Sequence, residues 1–242
     1  MILGIETATE NCSIAIVENG KFIDEISHNE KNIHAEKLVP MIAEIFSKNN
    51  LKISKLNGIA ISIGPGSFTG LRIGLSVAKG IAFANDIPIF PIPTLMSLAE
   101  NYFIKNHYKE IVVSIIQSQK DEFFVSSFEH KNKTTLQLND ILIVNKSENV
   151  DELFSKNHNY ILLGNGAKSF FENLSYKNNF QNIQLASSEF QISTANSIAF
   201  LGEKKYLNNE LIDIETLEPN YIKNFLIKKS TLFERIKNNA VV

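Results

Sequence analysis

Hydrophobic and polar residues alternate with a period of two along the first part of the chain. Apolar runs cover residues 2–8 and 13–18, and an alternating run follows over 21–27. This period is typical of β-strands, whose successive side chains point to opposite faces of a sheet. The dipeptide Asn19-Gly20 between the last two runs is typical of a tight hairpin turn. The sequence therefore predicts three antiparallel strands at the start of the chain.

The hydrophobic period then changes to three and four residues. An amphipathic helix is predicted over 34–48, because its apolar positions recur on one helical face. A short buried strand over 59–63 precedes a second helix over 69–85. An extended piece over 87–92 precedes a third helix over 94–105. The first half of the chain thus has the order β-β-β-α-β-α-β-α.

The second half repeats this order more loosely. Strands are predicted over 111–116, 123–128, 136–144, 160–163 and 183–186, and helices over 151–156, 167–174 and 193–207. Two copies of three antiparallel strands followed by alternating helices and strands indicate a duplicated ribonuclease-H-like unit. We therefore expect a two-lobed α/β protein of the actin-like (ASKHA) fold, in which helices flank mixed sheets. The lobes are predicted to cover 1–107 and 108–242. The second lobe is degenerate, and its helix over 193–207 can pack back on the first.

The composition of the 242 residues, 44% hydrophobic and 21% charged, is that of an ordinary globular protein. The net charge of −2 excludes a strong overall positive field, so any RNA contact is expected to be local or supplied by a partner. The single cysteine, Cys12, excludes a disulfide framework. Residues 1–5 lack the basic segment of a signal peptide, and no apolar run approaches the ~20 residues that cross a bilayer. A cytoplasmic protein without membrane contact is the expectation.

The strongest chemical signal is the glycine-rich run from Gly64 to Gly74, which follows a buried strand and opens a helix. Two interpretations of it stay open. Free N–H groups at the start of a helix can bind an anion, or the glycines can form a tight turn that packs the helix closely. The run lacks the Gly-Lys-Ser/Thr end of a P-loop and the spacing of a dinucleotide site. Pro65 also has no N–H to donate.

The helix after this run carries a stripe of small residues four positions apart, namely Gly70, Gly74, Ala78 and Ala82. Most of its other positions are apolar, and a helix that is apolar all round has to be covered on more than one side. One side can face its own sheet. The other side is covered either by a second chain or by the helix over 34–48, and the pattern favours neither.

Several segments together resemble the TsaB family, also called YeaZ. They are the run from Gly64 to Gly74 followed by Ala78-Lys79-Gly80, and the shorter segments Glu6-Thr7-Ala8-Thr9, His34-Ala35-Glu36, Pro93-Thr94-Leu95 and Glu218-Pro219-Asn220-Tyr221-Ile222-Lys223. The resemblance spans essentially the whole chain and implies the two-lobed actin-like fold. Its members are subunits of the bacterial machinery that makes threonylcarbamoyladenosine at position 37 of ANN-decoding tRNAs.

The resemblance implies a binding role rather than catalysis. In the family, this protein holds and activates the catalytic paralogue TsaD, the small ATPase TsaE joins them, and TsaC supplies threonylcarbamoyl-adenylate. We therefore expect a heterodimer with TsaD, a homodimer when the chain is alone, and tRNA contact only through the complex. No intrinsic cofactor is expected, and ATP or ADP with a divalent metal is expected only in the assembled complex. The lysine-rich segment over 223–237 is interpreted as a solvated helix face rather than an RNA site.

The helices over 34–48 and 69–85 are predicted to form the partner surface. Its residues are His34, Leu38, Ile42, Ile45, Gly70, Leu71, Arg72, Gly74, Leu75, Ala78 and Ala82. If this holds, Leu75→Glu or Ala78→Arg abolishes pairing and leaves the fold intact. A second group, predicted near an anion or nucleotide, comprises Glu6, Thr7, Thr9, Gly64, Gly66, Ser67 and Thr69.

No catalytic or metal-binding residue is predicted. His34 has no second histidine three to five residues away, and a lone imidazole is a poor metal site. The chain has no His-Glu-x-x-His and no Gly-x-Ser-x-Gly segment, so peptidase activity is unsupported. The alternative function is a self-contained actin-fold ATPase or small-molecule kinase, which needs two acids around magnesium. Glu6 lies where the first acid is expected but is longer than the usual aspartate, and the second half offers only the short glycine cluster 164–167.

Two further features depart from common patterns. Gln117 and Gln119 stand where the family has an aspartate-x-arginine run, so the role of that pair is weakened or altered here. Arg72 is one of two arginines among 24 basic residues, and it lies in the first turn of its helix, where the helix dipole disfavours a cation. We expect it either to bind a carboxylate, phosphate or carbonyl group or to form an ion pair with an acid such as Glu36.

Overall fold

The computed structural model describes residues 1–30, 32–106, 110–148, 150, 153–175 and 181–222, and two mixed sheets form its centre. The first half contains β1 (Ile2–Glu6), β2 (Asn11–Glu18), β3 (Lys21–Asn29), α1 (His34–Lys48), β4 (Gly58–Gly64), α2 (Phe68–Asn85), β5 (Ile89–Pro93) and α3 (Thr94–Lys105). The second half contains β6 (Ile111–Gln119), β7 (Glu122–Lys131), β8 (Thr134–Gln137), β9 (Leu142–Asn145), β10 (Tyr160–Leu163), α4 (Ala167–Ser175), β11 (Ile183–Leu185) and α5 (Ala195–Leu207). The predicted α/β class is confirmed. None of the described helices has the length and apolar character that a bilayer crossing requires.

The first sheet has the strand order β3-β2-β1-β4-β5. Strand β1 pairs antiparallel with β2 and parallel with β4, so Leu3 lies between Ile16 and Ile59. Leu3 and Ile59 face the layer formed by α1 and α2, whereas Ile2 and Ala60 face α5. Helices therefore cover both faces of the sheet, which explains why β1 is buried along its whole length.

The second sheet has the strand order β11-β10-β6-β7-β8, with β9 also paired to β7. Helix α3 covers one face, where Leu98 packs in one cluster with Val112. Helix α4 covers the other face, where the rings of Phe170 and Phe123 meet edge to face with centroids 5.5 Å apart. The second half of the chain thus builds its own core between β6, β7 and β10.

One prediction for the second half is wrong, and two others lie partly or wholly outside the described residues. The strand predicted over 136–144 is two strands, β8 and β9. Between them the side chain of Asn139 accepts a hydrogen bond from Ser127 N at 2.9 Å, which interrupts the regular pairing. The helix predicted over 151–156 and the boundary between 107 and 108 fall partly or wholly on residues outside the described ranges, so the lobe limits stay a prediction.

Helix α5 follows the second sheet in sequence but packs on the first sheet. A Cβ atom on Gly4 would lie 2.3 Å from Ala195 O, and one on Gly202 would lie 2.2 Å from Ala60 Cβ. Because glycine has no side chain at these two positions, α5 can lie directly against β1 and β4. Helix α3, from the first half, packs conversely on the second sheet. Helices that cross from one sheet to the other therefore join the two halves of the sequence.

Candidate functional site

A cleft of about 880 Å³ lies between the two sheets. Four segments meet there, namely the β1–β2 turn, the start of α1, the start of α2 and the β6–β7 turn, and residues 220–222 border it. Its lining residues include Thr9, His34, Gly66, Ser67, Phe68, Thr69, Gln117, Gln119, Asn165 and Tyr221. A cleft in this position is the first candidate for a ligand site.

The glycine-rich run brings α2 into direct contact with the β1–β2 turn. Ser67 caps α2 by accepting a hydrogen bond from Gly70 N at 3.1 Å, and Ser67 N donates to Ala8 O at 2.6 Å. A Cβ atom on Gly66 would lie 2.2 Å from Ala8 O, and one on Gly70 would lie 2.1 Å from Thr7 O. Close packing therefore accounts for both glycines. The anion-binding interpretation of the same run stays a prediction.

The segment 218–222 packs on this run from a distant part of the sequence. Asn220 N donates to Ile63 O at 2.7 Å. A Cβ atom on Gly64 would lie 2.7 Å from Asn220 O, and the backbone of Gly64 has a φ of +116°, which favours glycine. Gly64 is thus buried beneath Asn220 and does not line the cleft, and its predicted place near an anion or nucleotide stays a prediction.

Arg72 lies on the exposed side of α2, next to the same segment. Its Nε donates to the Tyr221 hydroxyl at 2.9 Å, and its guanidinium carbon lies 3.8 Å from the centre of the Phe68 ring. The rings of Phe68 and Tyr221 are 5.0 Å apart, so the guanidinium stacks beside an aromatic pair. The expected ion pair with Glu36 is not formed, since Glu36 pairs with Lys37 at 2.9 Å. The expected binding of a carboxylate, phosphate or carbonyl group by Arg72 stays a prediction.

Tyr221→Phe removes the hydroxyl acceptor of Arg72 and keeps the ring. We expect it to lower the free energy of unfolding by about 0.5–1 kcal/mol, because water partly replaces an exposed hydrogen bond to a charged group. Urea unfolding of Tyr221→Phe, Arg72→Ala and the double variant measures the coupling between the two side chains. The effect of Tyr221→Phe should vanish when Arg72 is already alanine. An undiminished effect would show that the hydroxyl stabilises another part of the chain.

Glu6 and Thr7 are buried beneath the cleft and do not line it, and their predicted place near an anion or nucleotide stays a prediction. The carboxylate oxygens of Glu6 accept hydrogen bonds from Ala8 N at 2.5 Å and from Ser193 Oγ at 2.6 Å. Burial raises the pKa of Glu6 to about 7 despite these hydrogen bonds. The members of the predicted anion or nucleotide group that do line the cleft are Thr9, Gly66, Ser67 and Thr69.

The lining of the cleft is polar but nearly uncharged. Glu10 is the one carboxylate among its described residues, which include no lysine and no arginine. Gln117 N donates to Asn165 Oδ1 at 3.0 Å, and the Gln117 side chain donates to Lys120 O at 3.1 Å. Such a lining can form neutral hydrogen bonds but supplies no cation for a polyphosphate. Within the described ranges, no three histidine, cysteine, aspartate or glutamate side chains stand together as a metal-ligand set.

The residues predicted to meet a partner lie inside the fold, with the exception of Arg72. The buried ones are His34, Leu38, Ile42, Ile45, Gly70, Leu71, Gly74, Leu75, Ala78 and Ala82. The stripe of small residues faces its own sheet, because a Cβ atom on Gly74 would lie 2.2 Å from Thr7 Oγ1. The predicted partner surface is corrected accordingly. Leu75→Glu and Ala78→Arg would place a charge in the core and are expected to disrupt the fold itself.

Other residues form the surface of α1 and α2, which pack side by side, and we call this surface the outer face. It consists of Ala35, Val39 and Ala43 on α1 and Ser76, Gly80, Phe83 and Ala84 on α2. Val39 is 58% exposed and Phe83 is 90% exposed. A Cβ atom on Gly80 would meet nothing within 4 Å. Sequence reasoning missed this set because it placed the stripe of small residues, rather than these residues, at the partner surface.

Comparisons with known proteins agree with this architecture. A family model described as TsaD: tRNA N6-adenosine threonylcarbamoyltransferase matches residues 22–232. The tRNA threonylcarbamoyladenosine biosynthesis protein TsaB of Haemophilus influenzae is 28% identical over 233 residues, with 92% of this chain and 93% of that protein covered. The TsaB protein of Buchnera aphidicola subsp. Baizongia pistaciae is 30% identical over 217 residues, with 88% and 96% covered. The solved structure of YeaZ from Pseudomonas aeruginosa superposes with a TM-score of 0.79 at 22% identity, with 91% and 99% covered.

Two mixed sheets, their flanking helices and the cleft between them define a two-lobed, actin-like α/β protein. The predicted fold is thereby confirmed. The chain belongs to the TsaB (YeaZ) family of tRNA threonylcarbamoyladenosine biosynthesis proteins, and the threonylcarbamoyltransferase model matches most of its length. The resemblance drawn from the short sequence segments is therefore correct.

Proposed function

We propose that this chain is a non-catalytic subunit that binds and activates the TsaD paralogue. In this proposal TsaD transfers the threonylcarbamoyl group to N6 of adenosine 37 in ANN-decoding tRNAs, TsaE joins the pair, and tRNA is contacted only through the complex. The observation that carries the proposal is the outer face of α1 and α2, whose large apolar side chains Val39 and Phe83 are exposed among the residues that the structure describes. Membership in a family of biosynthesis proteins supports the same role.

The outer face has the chemistry of a docking surface for helices. Phe83 and Val39 expose large apolar side chains, and the open surface at Gly80 lets a partner approach closely. Helix α2 has no acidic residue, and its basic residues Arg72 and Lys79 donate hydrogen bonds to other parts of this chain. Interface centres are depleted in charge and anchored by aromatic residues, and Phe83 can serve as such an anchor. The other exposed residues of α1 include Glu36, Glu44 and Lys48.

The same surface supports the proposed homodimer when TsaD is absent. A two-fold axis can place the outer faces of two copies against each other, because apolar helix surfaces of this kind are self-complementary. ATP or ADP and a divalent metal belong, in this proposal, to the assembled complex. The supporting observation is that the described lining of the cleft contains a single carboxylate, Glu10, and no basic side chain apart from His34.

Light scattering and a transfer assay test the proposal. Alone, the chain is expected to have a mass of about 54 kDa, twice the 27.2 kDa of one copy. Mixed with TsaD from the same source, it should exchange into a complex with one copy of each protein. TsaD supplied with tRNA and threonylcarbamoyl-adenylate should gain activity when the chain is added.

Two results would contradict the proposal. The first is a chain that stays a monomer and ignores TsaD, and the second is a TsaD that reaches full activity without it. ATP turnover by the isolated chain would favour the alternative, a self-contained actin-fold ATPase or small-molecule kinase.

A further inference from the structure

The turn between β2 and β3 contains the dipeptide Asn19-Gly20, and a carboxylate from α5 holds the backbone amide of its glycine. Both residues have positive φ values, 52° and 72°, and they form the two-residue turn between the paired Glu18 and Lys21. Gly20 N donates a hydrogen bond to Glu203 Oε2 at 2.7 Å. The turn is exposed, whereas Glu203 is buried. An exposed turn is thus tied to a helix that packs on the first sheet.

An asparagine followed by glycine is prone to deamidation, because glycine has no side chain that obstructs the reaction. The backbone nitrogen of the glycine gives up its proton and attacks the side-chain carbonyl carbon Cγ of the asparagine. A bond between this nitrogen and Cγ forms, the bond from Cγ to the side-chain nitrogen breaks, and the leaving nitrogen takes a proton from water and departs as ammonia. Water then opens the cyclic imide to aspartate or isoaspartate.

The hydrogen bond to Glu203 opposes the first step of this reaction at Asn19. The Gly20 nitrogen has to lose its proton before it can attack. A carboxylate that accepts this proton in a hydrogen bond stabilises the protonated amide. A deprotonated nitrogen would also lie next to the negative charge of that carboxylate, which repels it. Loss of the contact with Glu203 therefore favours both deprotonation and attack.

The chain contains two other Asn-Gly dipeptides, and other groups hold them. The side-chain oxygen of Asn57 accepts a hydrogen bond from Met1 N at 2.5 Å, and the following glycine is the first residue of β4. The side-chain oxygen of Asn165 accepts from Gln117 N at 3.0 Å, and the amide of the following glycine donates to a backbone oxygen of β6 at 3.1 Å. Asn19 differs from both, because none of the described residues forms a hydrogen bond with its side chain.

We propose that Asn19 is a deamidation site and that Glu203 is the residue that protects it in the folded chain. Without the contact to Glu203, Asn19 converts to aspartate or isoaspartate, whereas the other two Asn-Gly dipeptides keep their protection. Isoaspartate lengthens the backbone by one carbon atom, which the two-residue turn cannot accommodate, so the turn detaches from α5. The inference goes beyond the proposed function, because it uses neither the outer face nor TsaD.

Peptide mass spectrometry of the full chain, incubated at mildly alkaline pH, tests the proposal. One sample reports the conversion of Asn19, Asn57 and Asn165 together. In Glu203→Ala, Asn19 should convert at least about tenfold faster than in the unmodified chain, as expected for the loss of a hydrogen bond to a charged group. The rates at Asn57 and Asn165 should not change. Glu203→Gln keeps an acceptor oxygen and removes the charge, so it should give a smaller increase at Asn19.

Glu210→Ala is the matched control, because it removes an exposed carboxylate that lies just after α5 and is not bonded to the turn. It should leave the rate at Asn19 unchanged. NMR hydrogen exchange of the Gly20 amide gives a readout that does not depend on deamidation, and Glu203→Ala should raise that exchange rate. A rate at Asn19 that Glu203→Ala leaves unchanged or lowers would overturn the proposal. An equal rise at all three asparagines would overturn it as well, since it would show a general loosening of the fold.

Discussion

Phe83→Asp is expected to abolish association of this chain with TsaD and with a second copy of itself. Phe83 is the most exposed large apolar side chain of the outer face, at 90%. Removing an aromatic anchor from an interface costs about 2–4 kcal/mol, and an unpaired carboxylate in its place adds a desolvation cost. The affinity should therefore fall at least about a hundredfold. Titration calorimetry with TsaD measures the loss, and light scattering follows the homodimer.

Leu207→Asp is the matched control for this variant. Leu207 is 71% exposed at the end of α5, which covers the opposite face of the first sheet from α1 and α2. The same change of an exposed apolar residue to aspartate should leave the affinity within about twofold. Urea unfolding has to show that Phe83→Asp is as stable as the unmodified chain. Equal losses of affinity in both variants, or no loss in either, would exclude the outer face as the docking surface.

Gly70→Ala is expected to lower the free energy of unfolding by about 2–4 kcal/mol. Its Cβ atom would lie 2.1 Å from Thr7 O, and this backbone atom can move only if the β1–β2 turn moves with it. The start of α2 therefore has to shift away from the sheet, which loosens the packing of Leu71 and Leu75. Urea unfolding monitored by circular dichroism measures the change.

Gly80→Ala is the control within the same helix. Its Cβ atom would meet nothing within 4 Å, so no neighbour has to move. Alanine is a better helix former than glycine by up to ~1 kcal/mol, and a gain of stability is expected. Both variants add one methyl group to α2. A loss of stability in Gly70→Ala and a gain in Gly80→Ala would therefore attribute the loss to the close approach between Gly70 and Thr7 O. A similar effect in both variants would contradict that explanation.

The local pattern of hydrophobic and polar residues was sufficient to predict the helices and strands of the first half. The helix predicted over 34–48 has those bounds, and the one predicted over 69–85 begins one residue earlier, at Phe68. Their apolar periods are strong, and Ser67 supplies a cap at the start of α2. The prediction of one strand over 136–144 is wrong, because the side chain of Asn139 interrupts the strand pairing. The hydrophobic period of the sequence cannot indicate such a contact.

The candidate site was predictable only where its geometry depends on neighbours in sequence. Ser67 and Thr69 belong to one motif at the start of a helix, and both line the cleft, although their predicted place near an anion or nucleotide is still a prediction. The partner of Arg72 was not found, because Tyr221 comes from the far end of the described chain. The hydrogen bond between Ser193 and Glu6 was not found for a related reason, since it joins residues from opposite halves of the chain.

The sequence by itself determined the order of the elements, the two-sheet actin-like fold and the family, because hydrophobic period and short motifs are local properties of the chain. Only the tertiary structure decided which row of α2 is buried. Apolar or small residues occupy most positions of that helix, and Arg72 and Lys79 are its charged residues, so the pattern did not by itself identify the row that faces the sheet. The close approach at Gly70 and Gly74 turns the small stripe inward and leaves Phe83 and Gly80 at the surface. The position of the outer face, which we propose as the docking surface, therefore follows from packing between distant segments.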